Sequence, residues 1–150
     1  LSLALKVEEI AIPIVESKGG IIIDIAIHGS DKGKIIEVFV DNDAGMTTDL
    51  CAEISRELSR VLDLNDVFQQ KYHLVVSSPG IERPLKYPRQ YPKNIGRKVI
   101  VKYRGEQRVV KAEGILQAAN SNMIDLQLDD DSTHKIAFDS IIETHVCAVW

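Results

Sequence analysis

Pro84, Pro88, Pro92 and Gly96 recur at every fourth position, and that spacing limits the fold more than any other feature of the chain. Each proline fixes φ and lacks a backbone donor, so neither an uninterrupted helix nor a central strand can cross the stretch. A length of 150 residues allows one domain or two small ones. The prolines favour two: a domain at residues 1–86, a semi-rigid Pro-rich connector at 87–95, and a second domain at 96–150.

The two flanks carry different periodicities. Leu3, Val7, Ile10 and Ile14 fall on one stripe of an amphipathic helix, which Gly19-Gly20 ends and Pro13 is expected to kink or split. Two β-branched runs, 21–28 and 34–41, flank Gly29-Ser30-Asp31-Lys32-Gly33 and predict a hairpin, with Ile36, Val38 and Val40 on one face of its second strand. Thr47 is placed to cap a helix from 48 to about 62, with Leu50, Ile54, Leu58 and Val61 as its buried stripe. Residues 72–78 read as a third strand. The order αββαβ implies a two-layer domain, both helices hiding their stripes on one face of the sheet.

Beyond Gly96 the pattern changes to short strands. Val99, Val101 and Tyr103 alternate with basic residues, and apolar runs follow at 109–116, 123–128, 136–138 and 141–146. Five short strands predict a small closed or nearly closed barrel, since closure removes exposed edges. The fold class is α+β.

Charge is divided as sharply as structure. From Arg83 to Lys111 ten basic residues stand against the single acid Glu106, while the rest of the chain holds eight basic and twenty-one acidic residues. The net charge of -4 therefore hides a cationic segment. Screening over roughly 8 to 10 Å lets that segment, and not the average, select the partner. Arg83, Lys86, Arg89, Lys93, Arg97, Lys98, Lys102 and Arg104 are the candidate RNA- or ribosome-binding residues, because guanidinium and ammonium groups grip phosphate. Three of the four tyrosines, Tyr87, Tyr91 and Tyr103, lie in the same segment, suited either to base stacking or to packing beside proline.

Several classes of chemistry find little support. His28, His73, His134 and His145 are scattered singly, and Cys51 and Cys147 match no zinc spacing and read as unpaired buried thiols. Asp41, Asp43 and Gly45 miss the later ligands of a calcium loop, and Asp129-Asp130-Asp131 reads as a hairpin tip. No metal or cofactor is expected. Without a G-x-S-x-G elbow or a phosphate loop, catalysis survives only as an alternative: a hydrolase built through space on Ser77, or on the Asp41/Asp43 pair. No apolar run approaches the roughly 20 residues of a membrane span. The start, at residues 1–5, lacks the marks of an export signal, so the expected location is the cytoplasm.

Ser78-Pro79-Gly80-Ile81 predicts a type II turn, proline presetting φ and glycine taking positive φ. It sits within Val76-Ser77-Ser78-Pro79-Gly80-Ile81-Glu82-Arg83-Pro84-Leu85, which resembles the V-S-S-P-G-[LI]-[DE]-R-P-L motif of the bacterial ribosome maturation factor RimP family. Gly45-Met46-Thr47-Thr48-Asp49-Leu50-Cys51 is a supporting stretch, and the similarity covers nearly the whole chain. Leu50, Ile22 and Val75 stand where the family usually carries acids.

The resemblance implies an N-terminal α/β domain and an SH3-like or Sm-like C-terminal barrel. It further implies a noncatalytic role on the immature 30S ribosomal subunit, with 16S rRNA and ribosomal protein S12 as partners, acting as a monomer away from membranes. Ser77, Ser78, Pro79, Gly80, Arg83, Pro84 and Leu85 would inherit the motif's importance. A generic RNA-binding adaptor is the alternative.

Overall fold

The computed structural model describes residues 2–30 and 33–148, and the chain divides between Pro79 and Gly80 into two compact units. The first runs α1 (Leu3–Ser17), β1 (Gly20–Ser30), β2 (Gly33–Asn42), α2 (Thr48–Leu64) and β3 (Tyr72–Ser77), the expected αββαβ order. Its sheet is ordered β1-β2-β3, with β1 antiparallel and β3 parallel to β2. A parallel neighbour needs a crossover connection, and α2 supplies it.

Both helices bury their stripes on one face of this sheet. Val7, Ala11, Ile14 and Val15 of α1 and Ile54, Leu58 and Leu62 of α2 meet Ile36, Val38 and Val40 of β2 and Val76 of β3. Each fully buried aliphatic side chain contributes about 1.5–3 kcal/mol. Ser2 caps α1, its hydroxyl accepting from Leu5 N at 3.2 Å, and Thr47 caps α2 by accepting from Leu50 N at 3.1 Å. At the far end of α1, Gly19 takes φ +79 and its N–H donates to Glu16 O at 3.0 Å.

Of the kink or split expected at Pro13, the split does not occur; α1 is one helix that runs through it. Pro13 and Glu9, whose carbonyl lacks the proline's missing donor, are both exposed residues on the outer side of α1. In β1 the pairing skips Ile23, since Ile22 faces Val40 and Asp24 faces Phe39. That bulge leaves Ile23 buried and Asp24 exposed. The predicted hairpin turn includes Asp31 and Lys32, which lie outside the described residues.

Among its described residues the second unit contains five strands: β4 (Lys98–Arg104), β5 (Val109–Ala119), β6 (Met123–Gln127), β7 (Thr133–Ala137) and β8 (Ile141–Val146). Every pairing is antiparallel, in the order β7-β6-β5-β4-β8. Each strand gives its inward face to one core: Val99, Val101, Leu116, Ile124, Leu126, Ile136 and Val146. The sheet must curl to close over them. Tyr103 Oη on β4 lies 2.9 Å from His134 Nε2 on β7, whereas strands three places apart in a flat sheet would be separated by about 14 Å.

Residues 87–95, read from the sequence as a connector, are an element of this unit. They form two 3-10 turns, Pro88–Gln90 and Pro92–Asn94, each opened by a proline at a position whose N–H needs no partner. Tyr91 is 3% exposed among the core residues, and its hydroxyl donates to Thr144 Oγ1 at 2.7 Å. Spacing that forbids a long helix starts short ones instead.

Candidate nucleic-acid interface

The motif residues straddle the division between the units. Ser77 ends β3 in register with Phe39, and Ser78 and Pro79 close the first unit. Gly80 opens the second with φ +66, the positive value the turn requires. A Cβ built there meets no atom within 4 Å, so the cost of a side chain would be conformational only. Arg83 and Pro84 are half-buried, and Leu85 lies against the barrel core while its N–H donates to Thr144 O at 2.8 Å.

Two groups of cations follow from two local geometries. In the first, Lys86, Arg89 and Lys93 are exposed on the 3-10 segment. A buried amide network fixes that segment: Gln90 Oε1 accepts from Lys86 N at 2.7 Å and Tyr87 N at 2.9 Å, and Asn94 Nδ2 donates to Gln90 O at 2.8 Å. Arg97 Nη1 reaches Asn94 Oδ1 at 3.4 Å. In the second group, strand alternation sends Val99 and Val101 into the core and Lys98, Lys102 and Arg104 outward.

The structure therefore does not gather all eight candidates on one face. Lys98, Lys102 and Arg104 share the outer face of β4, with Lys111 of β5 opposite Lys102. Arg97 has the opposite strand parity, and the rest belong to the 3-10 segment and the loop before it. Lys98 Nζ pairs with Glu113 Oε1 at 2.9 Å, a hydrogen bond that raises the Lys98 pKa. Arg104 Nη1 donates to Asp139 O at 3.0 Å.

Of the tyrosines in the segment, Tyr87 alone presents an exposed ring, at 38%, with Lys86 Nζ 5.5 Å from its centroid. Tyr91 packs edge-to-face on Phe138 at 4.9 Å, and burial raises the pKa of its phenol. Tyr103 is half-buried against His134. Core packing thus claims two of the three rings.

Among the described residues of the first unit, the catalytic alternatives find no geometry. Its two exposed histidines, His28 and His73, lie in register at Ile35, four residues from Ser77's row, or about 13 Å along the strands. Asp41 is 4% exposed with Oδ1 accepting from Asn42 N at 2.9 Å, whereas Asp43 is exposed, so the two carboxylates do not share a solvent-facing site. Cys51 and Cys147 are free and half-buried, and burial pushes the Cys51 thiol up, away from thiolate chemistry. Among the described residues no group of three His, Cys, Asp or Glu forms that could hold a metal ion. No helix among them is long and apolar enough to cross a membrane.

Sequence reasoning missed Gln90, Asn94 and Thr144, polar side chains at 2%, 6% and 0% exposure. For Gln90 and Asn94 the available signal was an amide two residues after Pro88 and after Pro92, a position suited to turning back on the proline's own 3-10 turn; for Thr144 there was none. Residues 10–82 match the family model described as the RimP N-terminal domain.

Proposed function

From the RimP family, to which the N-terminal domain of this chain belongs, we propose that the protein is a ribosome maturation factor acting on the immature 30S subunit. It binds there, assists 16S rRNA folding and the incorporation of proteins around S12, and makes or breaks no covalent bond. The observation that carries this reading is a cationic segment on a small folded unit of an otherwise acidic chain. Phosphate contacts of that kind release counterions, giving affinity that is modest, salt-sensitive and quickly reversed. An assembly factor must let go.

The second unit is read as the SH3-like or Sm-like barrel. Its five antiparallel strands, with a 3-10 turn at Phe138–Ser140 before the last, support this. The protein acts as a monomer in the cytoplasm. The exposed tip Asp129-Asp130-Asp131 offers a surface for a basic ribosomal protein. Buried Asp41 does not.

Cofractionation tests the reading. The full chain is expected in immature 30S fractions and absent from 70S particles; equal binding to unrelated structured RNA would instead establish a generic adaptor.

A further inference from the structure

The outer face of β4 and β5 narrows the proposed function, on which this inference rests, to one strand pair. Lys98, Ile100, Lys102 and Arg104 stand opposite Ile115, Glu113, Lys111 and Val109 in turn. On its other flank Lys102 faces Glu143 of β8. Lys98 is paired with Glu113 at 2.9 Å, Glu143 Oε1 lies 3.1 Å from His145 Nε2, and Arg104 keeps its charge while donating to the neutral carbonyl of Asp139 at 3.0 Å. Lys102 and Lys111 instead face each other across an antiparallel pair, where Cβ atoms lie about 4.5–5.5 Å apart.

Like charges directly opposite one another destabilise a sheet, and Glu143 on β8 relieves that repulsion for Lys102 only, since Lys111 has its strand partner on β4 alone. An anion lying between the two ammonium groups reverses the sign of that interaction. Arg104 stands two residues further along the same face, about 7 Å away, so the cations form a line and not a point. Val109, opposite Arg104 and 50% exposed, offers apolar surface at one end of that line. We propose that Lys102 and Lys111, extended by Arg104, are the seat of the RNA phosphate backbone on this protein.

Binding of a fluorescein-labelled RNA stem-loop to the full chain, followed across salt concentrations, tests this. Lys102→Gln with Lys111→Gln should lower the slope of log affinity against log salt by about 1.4–1.8, and weaken low-salt binding on the order of tenfold. Lys135→Gln, which removes one lysine charge on β7, should leave both unchanged. The melting temperature should hold or rise in Lys111→Gln protein, because a repulsion has been removed; a merely structural lysine would lower it.

A wild-type slope retained in the double variant overturns the assignment while leaving the proposed function standing. So does loss of 30S binding with stem-loop binding intact, which marks the face as a protein contact. Failure of the wild-type chain to bind either RNA or 30S particles removes the proposed function and this inference with it.

Discussion

At Gly80 the backbone sits at φ +66, a conformation that costs any L side chain energy even where space is open. Gly80→Ala is expected to lower unfolding free energy by about 1 kcal/mol in urea titrations. Tyr91 makes a different kind of contribution. Burial raises its pKa, so the folded chain keeps the phenolic proton where the unfolded chain has lost it. That stability is complete below about pH 10 and declines as pH climbs through the raised folded value. Tyr91→Phe should flatten this alkaline decline in pH-dependent melting while costing about 1–3 kcal/mol at neutral pH, since Thr144 Oγ1 loses its donor inside the core. The positive φ at Gly80 was legible because proline and glycine restrict the backbone locally. The Tyr91–Thr144 bond was not, because it joins residues 53 apart.

Elements were legible to the degree that their signals were local. Caps, stripes and strand runs located α1, α2 and the described strands, except that β7 was expected at 136–138 and spans Thr133–Ala137, with Phe138 in a 3-10 turn; Thr47→Ala should destabilise the first unit by about 1 kcal/mol in thermal melts by removing the bond to Leu50 N. The 3-10 turns were missed because proline signals both interruption and initiation, and only the burial of Gln90 and Asn94 on the barrel selects the latter. Their consequence is a cationic segment ordered before any partner arrives. Gln90→Ala should disorder it, and faster amide hydrogen exchange across residues 86–91 would show this. The pleat of β4 was legible as alternation, yet its register against β5, which sets Lys102 opposite Lys111, was not.

Across the molecule, the basic block of residues 83–111 is resolved into a 3-10 group and an outer-sheet group, both on the second unit. Reversing Lys86, Arg89 and Lys93 to Glu should reduce subunit binding while shifting the melting temperature little, because pairs made by exposed side chains contribute roughly 0–1 kcal/mol. Electrostatic attachment to a nascent small subunit is tested by sedimenting the full chain with immature 30S particles at 50 and 200 mM salt. For about five phosphate contacts the affinity should fall about 10²-fold to 10³-fold between those conditions, with no chain on 70S particles. Absence from every 30S fraction at the lower salt, or attachment indifferent to salt, would rule out electrostatic attachment to the subunit.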